Sequence, residues 1–383
     1  MTNTKWVAGW GASIDVTTLI PADYFKDQTF RYVIFPTMDA SAIRLHFSNQ
    51  YGSESATISK AFVAKRTKGE FIDPSTNVKI TFGGSDKLTL EPGAVAVSDP
   101  VAFPVKAGEE FSVSLYFADF TQLYTGHTNN GHYIKKYYGK GDWAEAETIP
   151  LEVYGEDCPY VFLHTIDFLA SDDCRAIIAF GDSITAQPWP DCFARRMFEM
   201  GITNRAIIRK GIGGSRVLRD YRFRIKKHWG EKGIDRFERD ITQAGADRVF
   251  VLHGINDLIH PKVNDRYCPM SELPTAEELI EQGYKRYIEI ARRHGMKIYL
   301  ATILPAPRCL NDDGIREQIR CAVNDWIRST DLIDGVIDFE AAVWDENDHK
   351  RIKAEYDSGD QLHPSLKGAA KMAESIPVEF FRD

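Results

Sequence analysis

Residues 175–185 read RAIIAFGDSIT, and this stretch sets the fold of the second half of the chain. Its first six residues are almost all apolar, as expected for a strand that is buried in a parallel sheet. A Gly-Asp pair then ends the strand, and Pro188 and Pro190 stand in positions suited to opening a helix. Ser183 is therefore predicted at a strand-to-helix turn, where its hydroxyl would be exposed at the edge of the sheet.

Downstream of this stretch, short apolar strands alternate with helical segments. The further predicted strands are RAIIRK (205–210), RVFVLH (248–253), KIYLATILP (297–305) and GVIDF (335–339). Strand and helix in alternation predict right-handed crossovers and a ligand site beyond the carboxyl ends of the strands. We therefore expect a five-stranded parallel sheet in a three-layer α/β/α arrangement of flavodoxin-like type.

Upstream of residue 170 the pattern is different. Runs such as VKITFGG (78–84) and EFSVSLYFADF (110–120) are rich in β-branched and aromatic residues, and turn residues separate them. Several short strands without helical crossovers indicate an antiparallel β-sandwich of jelly-roll type. The predicted domains are thus a β-sandwich over 1–170 and an α/β domain over 171–383, with SDDC (171–174) as the junction.

Composition narrows the classes of function. The 383 residues hold 47 Lys and Arg against 55 Asp and Glu, a net charge of −8 that opposes nucleic-acid binding. No run of about 18 apolar residues occurs, and the start MTNTKWVAGWGAS has no apolar signal segment. We therefore expect no nucleic-acid partner, no membrane partner and a cytoplasmic location.

The cysteines and acidic residues give no sign of a metal site. No CxxC pair, zinc-type spacing or HExxH cluster occurs, so no metal is expected. In a reducing compartment the cysteines are interpreted as free, mostly buried thiols. They are Cys158, Cys174, Cys192, Cys268, Cys309 and Cys321.

Three further segments at predicted strand ends carry groups suited to acyl transfer. In GIGGSR (211–216) a glycine lets the backbone approach a ligand, and in HGIND (253–257) the amide of Asn256 could donate to an oxyanion. In DQLHP (360–364) two residues separate Asp360 from His363, so the carboxylate can reach the imidazole within one loop. Taken singly, each segment could also be an ordinary turn or helix cap.

Taken together and in this order, the four blocks resemble the SGNH or GDSL superfamily of serine esterases and lipases. The resemblance covers residues 175–370 by motif. It implies a catalytic triad of Ser183, His363 and Asp360, and an oxyanion hole made by the amides of Ser183 and Gly214 and the side chain of Asn256. It implies no cofactor and no metal.

The N-terminal half is similar to members of that superfamily that carry an upstream β-sandwich. The similar segments are WVAGWGAS (6–13), FSNQYG (47–52) and FLHTIDFLA (162–170). Two departures stand out: GDSIT replaces GDSL, and Arg209 with Lys210 stands where many members have Asn and a small residue. The second departure leaves the substrate preference open.

The expected function is hydrolysis of short-chain, acetyl-type esters of carbohydrates through an acyl-enzyme. Trp189, Tyr221, Trp229 and Tyr267 are flat side chains at strand ends that suit stacking on sugar rings. The alternatives are a lysophospholipase, lipase or thioesterase-like acyl hydrolase, an acyltransferase to a sugar, and a non-catalytic glycan-binding protein. The partner is a small-molecule or oligosaccharide ester, and the sequence leaves the oligomeric state open.

Some residues near the blocks have two interpretations. Asp357 could replace Asp360 as the acid, although the spacing to His363 favours Asp360. His253 and His260 are interpreted as structural or rim residues.

Ten Lys or Arg occur over 205–232 and are interpreted as a solvated helix face. The alternative is that Arg209 or Arg216 binds an anionic substrate. Arg209, Arg216 and Trp189 are the candidate substrate-binding residues.

Overall fold

The computed structural model describes residues 4–16, 23–128, 132–150, 159–221, 229–307 and 314–382. The chain forms two compact units, Met1–Arg175 with Met197–Ile208 and Ala176–Arg196 with Arg209–Asp383. The boundary between residues 170 and 171 stays a prediction. Within the described ranges, no helix is both long and apolar enough to span a lipid bilayer. The cytoplasmic location stays a prediction.

Apart from residues 197–208, which continue a helix and a strand of the second unit and are described with it, the first unit is built from short strands, with a single turn of 3₁₀ helix at Pro74–Thr76 among its described residues. In chain order the strands are β1 (Thr4–Gly11), β2 (Asp15–Val16), β3 (Asp23–Phe25), β4 (Gln28–Ile34), β5 (Ala40–Ser48), β6 (Ala56–Ile58), β7 (Lys60–Lys65), β8 (Val78–Ile80), β9 (Leu88–Leu90), β10 (Val95–Val97), β11 (Val101–Val105), β12 (Phe111–Phe117), β13 (Thr121–Leu123), β14 (Thr125–His127), β15 (Lys136–Lys140), β16 (Tyr160–Val161) and β17 (Leu163–Ser171).

Two five-stranded antiparallel sheets make up most of this unit. One has the order β1-β17-β5-β10, with β11 also paired to β5, and the other has the order β15-β4-β12-β7-β8. Their inner faces meet in aromatic contacts, such as Phe111 of β12 against Phe168 of β17 at 6.1 Å between ring centroids. Smaller sheets pair β13 with β3, β6 with β9, and β14 with β16 and β2.

The alternation of side chains explains why these segments are strands. In β11, Val101, Phe103 and Val105 are buried while Ala102 and Pro104 are exposed. A period of two places one set of side chains against the opposite sheet and the other in solvent. The N-terminal prediction of an antiparallel β-rich fold is confirmed.

The second unit alternates strands and helices. Its strands are β18 (Arg175–Gly181), β19 (Arg205–Gly211), β20 (Ala246–Leu252), β21 (Lys297–Ala301), β22 (Gly335–Ile337), β23 (Trp344–Asp345) and β24 (Asp348–Ile352). Its α-helices are α1 (Ser183–Ala186), α2 (Trp189–Glu199), α3 (Gly233–Ile241), α4 (Ile255–Ile259), α5 (Ala276–Glu278), α6 (Lys285–Arg293), α7 (Ile315–Ser329), α8 (Phe339–Val343) and α9 (Leu366–Ser375). A π-helical segment, Leu279–Tyr284, joins α5 to α6, and short 3₁₀ turns lie at Met270–Glu272 and Val378–Phe380.

The five main strands form one parallel sheet in the order β19-β18-β20-β21-β22. This is the doubly wound order 2-1-3-4-5, in which ligands bind where the direction of winding changes, next to the first strand. The last six residues of β18 are all buried, as a central parallel strand requires. The predicted α/β fold class is confirmed, and the blocks at 182, 211 and 254 follow β18, β19 and β20.

Four of the cysteines lie in the described residues: Cys174, Cys192, Cys268 and Cys321. All four are free, as predicted, and burial is the main cause that raises the pKa of Cys192 to about 12. Cys158 and Cys309 lie outside the described residues.

The interpretation of 205–232 as a solvated helix face is wrong for its described members up to residue 221. Arg205, Arg209 and Lys210 lie on β19, and Arg216 lies in the loop that follows; all four are buried. These basic side chains can be buried because hydrogen-bond acceptors inside the fold pair with them, whereas the sequence pattern predicted that they face solvent. The members Arg222, Arg224, Lys226 and Lys227 lie outside the described residues.

Candidate active site

Ser183 lies at the carboxyl end of the central strand β18 and is the first residue of α1. The carboxyl group of Asp182 caps this helix by accepting a hydrogen bond from the backbone N–H of Ile184 at 3.1 Å. Ser183 is half-exposed, while residues 181, 182 and 184 around it are buried. The sharp change from strand to helix therefore presents a single hydroxyl to solvent.

His363 lies between Ser183 and Asp360. Its Nε2 atom is 2.8 Å from the Oγ atom of Ser183, and its Nδ1 atom is 2.6 Å from Oδ2 of Asp360. The carboxylate can only accept, so Nδ1 carries the proton and Nε2 is left to accept from the serine hydroxyl. The structure thus brings together the three residues that the sequence predicted, although Ser183 and His363 are 180 positions apart in the chain.

The loop before His363 is held by its own carboxylates. Oδ1 of Asp357 accepts from the backbone N–H groups of Gly359 and Gln361 at 2.9 and 3.0 Å. Gln361 has a φ of 60°, a left-handed conformation that is strained for a residue with a side chain. Asp357 therefore stabilises the turn, and Asp360 is the residue that reaches the imidazole.

Asp360 is an ionised carboxylate over the ordinary pH range. Partial burial would raise its pKa, but the hydrogen bond from the His363 imidazole and the backbone N–H groups of His363 and Leu362 lower the pKa to about 2. Its Oδ1 atom accepts from those two N–H groups at 2.8 and 2.9 Å. The charge is therefore present to orient and stabilise a protonated imidazole.

The block after β19 lies next to Ser183. A Cβ atom at Gly213 would be 3.8 Å from Cβ of Ser183, which places the Gly213–Gly214 peptide beside the serine. Asn256, at the start of α4, donates from Nδ2 to the carbonyl oxygen of Ser215 at 3.0 Å. The Gly213–Gly214 peptide therefore lies beside the serine, and the oxyanion hole of Ser183, Gly214 and Asn256 stays a prediction.

Gly214 must be glycine for two reasons. Its φ is 79°, and a Cβ atom there would lie 2.5 Å from the ring of Trp229. Its carbonyl oxygen accepts from the hydroxyl of Tyr221 at 2.6 Å. Trp229 also stacks on His260, with ring centroids 4.7 Å apart. The glycine thus lies under an aromatic cluster of Tyr221, Trp229 and His260.

Arg236 of α3 ties the ends of two strands together behind the site, and sequence reasoning missed it. Its fully buried guanidinium donates to the carbonyl oxygens of Gly181 at 2.7 Å and Lys210 at 3.1 Å. Asp240, one helical turn later, balances the charge at 2.6 Å. Nothing in the local sequence marks this arginine, because its acceptors are 26 and 55 residues away.

Two buried carboxyl groups lie next to the site residues. Burial is the main cause that raises the pKa of Asp182 to about 7, and the nearby Asp257 adds to the rise. Burial also raises the pKa of Asp257 to about 6, although its carboxylate accepts from the backbone N–H groups of Val217 and Leu218. Asp257 thereby fixes the chain that follows the Gly214 loop.

The three candidate substrate-binding residues are buried with partners inside the protein. Arg209 forms an ion pair with Asp191, and Arg216 forms one with Glu272 at 2.8 Å. Trp189 is 1% exposed and packs edge-on against Phe339. That any of the three binds substrate stays a prediction.

A narrow cleft is lined by Ile184 and Pro364, the residues directly after Ser183 and His363, and by apolar groups of α9. Within the part of the chain that the structure describes, no group of three or more His, Cys, Asp or Glu side chains could hold a metal ion.

The geometry can support one kind of chemistry. An imidazole that is hydrogen-bonded to a carboxylate on one side and to a hydroxyl on the other can activate the hydroxyl as a nucleophile. N–H donors beside the hydroxyl can stabilise the negative charge that forms on a carbonyl oxygen.

Comparison with known proteins identifies a family. Residues 179–371, about half of the chain, match the GDSL-like lipase/acylhydrolase family. No curated protein sequence matches this chain.

Several solved structures are similar to about half of the chain. A carbohydrate acetylesterase, Est24 of Sinorhizobium meliloti, is 15% identical, with a TM-score of 0.38, and covers 53% of this chain and 96% of its own. An aryl esterase of M. smegmatis is 15% identical, with a TM-score of 0.40, over 54% of this chain and all of its own. A GDSL-like lipase of Bacteroides thetaiotaomicron is 18% identical, with a TM-score of 0.37, over 53% of this chain and 85% of its own.

The first prediction compares the two carboxylates of the histidine loop. Asp360→Asn should lower kcat by up to about 10⁴-fold, because an amide facing Nδ1 no longer fixes the imidazole tautomer. Asp357→Asn is the matched variant: its side-chain oxygen can still accept from the loop, so kcat should fall less than about tenfold. Steady-state kinetics on an activated ester measure both. A larger loss in Asp357→Asn than in Asp360→Asn would contradict the assignment.

The second prediction concerns the buried carboxyl of Asp182. The folded state keeps its proton up to about pH 7, whereas an unfolded chain loses it near pH 4. The free energy of unfolding therefore falls as the pH rises from 4 to 7, by up to about 1.4 kcal/mol per pH unit for this group. Asp182→Asn keeps the helix cap and removes the titration, so the fall should be shallower.

Urea unfolding at pH 4.5, 5.5, 6.5 and 7.5 measures this slope. Asp325→Asn, at a carboxyl that is 79% exposed on α7, is the control and should leave the wild-type slope unchanged. Parallel curves for wild type and Asp182→Asn would show that the carboxyl is already ionised in the folded protein.

Proposed function

Since this chain belongs to the GDSL-like lipase/acylhydrolase family, it is a carboxylic ester hydrolase, and we propose that it removes short acyl groups, acetyl above all, from carbohydrates. The observation that supports the catalytic part is the chain of hydrogen bonds through His363. Its Nε2 atom is 2.8 Å from Oγ of Ser183, and its Nδ1 atom is 2.6 Å from Oδ2 of Asp360. The proposal assigns each of these residues a step in an acyl-enzyme mechanism.

Ser183 is the nucleophile. As its Oγ atom attacks the ester carbonyl, its proton moves to Nε2 of His363, and Asp360 stabilises the imidazolium through Nδ1. The low pKa of Asp360 keeps that carboxylate charged while the imidazole gains its proton. The imidazolium then gives the proton to the leaving alkoxide, which departs as an alcohol and leaves the acyl group on the serine.

The N–H groups around Ser183 stabilise the tetrahedral intermediate. In the proposal the carbonyl oxygen, now negative, accepts from the backbone N–H groups of Ser183 and Gly214 and from Nδ2 of Asn256. Donors that are fixed before the reaction cost no reorganisation when the charge develops. Water then attacks the acyl-enzyme with His363 as the base, and the acid is released.

The aromatic cluster supports a ring-shaped alcohol. Tyr221 and Trp229 are half-exposed and lie beside Gly214, one of the proposed oxyanion donors. Flat side chains with polar edges stack on sugar rings. Among the aromatic residues that were predicted to stack on sugar rings, Tyr221 and Trp229 lie beside Gly214, whereas Trp189 is in the core.

The third prediction tests the nucleophile. Ser183→Ala should lower ester hydrolysis by about 10⁶-fold while the protein stays folded, because it removes the attacking atom and no buried group. Ser329→Ala, at the end of α7, is the matched control and should keep full activity. Turnover of p-nitrophenyl acetate and thermal unfolding measure both effects. More than a few per cent of wild-type activity in Ser183→Ala would rule out this serine.

The fourth prediction concerns the acyl chain and its acceptor. Among p-nitrophenyl esters from acetate to dodecanoate, kcat/KM should be highest for acetate, and acetate should be released from acetylated oligosaccharides. A maximum at octanoate or longer would instead favour a lysophospholipase, lipase or thioesterase. Comparing free acid formed with and without an acceptor sugar separates hydrolysis from acyl transfer, since transfer lowers the yield of free acid as sugar is added.

A further inference from the structure

His253 is a buried histidine directly after β20 that the proposed chemistry does not use. It is 1% exposed, and both ring nitrogens have partners: Nδ1 lies 3.0 Å from the hydroxyl of Tyr287, and Nε2 lies 3.0 Å from the carbonyl oxygen of Ser215. A carbonyl oxygen can only accept, so Nε2 carries the proton. Nδ1 therefore accepts from the hydroxyl of Tyr287, which helps to hold the orientation of the ring.

The imidazole of His253 is neutral. Burial is the main cause that lowers its pKa to about 3, and the positive charge of Arg236 lowers it further. A neutral ring has one donor, and the geometry directs that donor to Ser215. The histidine is thus a fixed hydrogen-bond donor at every pH at which an esterase works.

The same carbonyl oxygen accepts a second hydrogen bond. Nδ2 of Asn256 donates to Ser215 at 3.0 Å, the same distance as the bond from His253. A carbonyl oxygen has two lone pairs, and here two side chains fill them. Because the amide of Asn256 is planar, fixing one of its N–H bonds on this oxygen also fixes the direction of the other.

We propose that His253 is a positioning residue for Asn256: by holding the Ser215 carbonyl in place, it aims the free N–H of the Asn256 amide at the oxyanion. The proposal rests on the function proposed above, in which Asn256 is an oxyanion donor. It gives a role to a polar side chain that packs against the aromatic rings of Phe180 and Tyr287.

A merely structural histidine would behave differently. Its loss would lower stability, and any effect on turnover would be independent of Asn256. A positioning residue acts through Asn256, so its effect must disappear once the amide is gone. A double-mutant cycle separates the two cases.

The experiment compares His253→Leu, Asn256→Ala and the double variant on p-nitrophenyl acetate. Asn256→Ala should lower kcat by about 10²–10³-fold, and His253→Leu by about 10–100-fold with KM changed less than about twofold. In the double variant, kcat should lie within about threefold of Asn256→Ala alone. His253→Gln, which can still donate to Ser215, should recover most of the kcat lost in His253→Leu.

His294→Leu is the control, because it makes the same replacement at a half-exposed histidine that pairs with Glu238, and it should leave kcat unchanged. If His253→Leu does not fold by circular dichroism, Tyr287→Phe replaces it. Without the tyrosine hydroxyl the ring loses the hydrogen bond at Nδ1 that helps to hold its orientation, so kcat should fall about threefold to tenfold, and this fall should vanish when Asn256 is alanine.

Two results would overturn the proposal. One is an equal fall in kcat in the presence and absence of Asn256, and the other is an unchanged kcat in a folded His253→Leu. Full activity in Asn256→Ala alone would contradict the oxyanion assignment itself, and so the proposed function. The two failures are therefore distinguishable.

Discussion

The guanidinium of Arg236 is the interaction on which the geometry of the site depends. Two strand ends here curve into tight loops, one to Ser183 after β18 and one to Gly214 after β19. Arg236 donates to the carbonyl oxygens of Gly181 and Lys210, and so holds both loop entries at a fixed separation. The ion pair with Asp240 and the contact with the ring of Phe180 stabilise the buried positive charge of Arg236.

Three aspartates near the site show how the environment divides one residue type into different roles. Asp360 is half-exposed and accepts several N–H groups, so it stays ionised and serves the histidine. Asp182 and Asp257 are buried, their pKa values are raised, and they organise backbone N–H groups around the strand ends. The negative charge that the proposed reaction needs thus lies on Asp360, in the loop that carries His363. The buried carboxyl groups of Asp182 and Asp257 instead hold the backbone at the edge of the sheet.

The loop that carries the histidine is largely self-contained. Asp357 holds the turn, the left-handed Gln361 brings Asp360 and His363 to the same side, and Ser358 donates from its backbone to the carbonyl oxygen of His363 at 2.9 Å. Because these contacts are local, the histidine and its carboxylate form one preorganised element. Ser183 and the proposed oxyanion donors instead depend on contacts between distant segments, such as the bond from Asn256 to Ser215 across 41 positions.

The sequence by itself determined what depends on neighbouring residues. The order of strands and helices, the Gly-Asp-Ser turn after β18 and the Asp360–His363 spacing each lie within a few positions, so periodicity and turn chemistry reveal them. Only the tertiary structure decided the burial of Arg209 and Arg216, and the bonds that Arg236 and His253 make to backbone carbonyls. These contacts join residues 18 to 56 positions apart. When two partners are this far apart along the chain, the packing of whole helices and strands decides which side chains meet. Such contacts therefore leave no local pattern in the sequence.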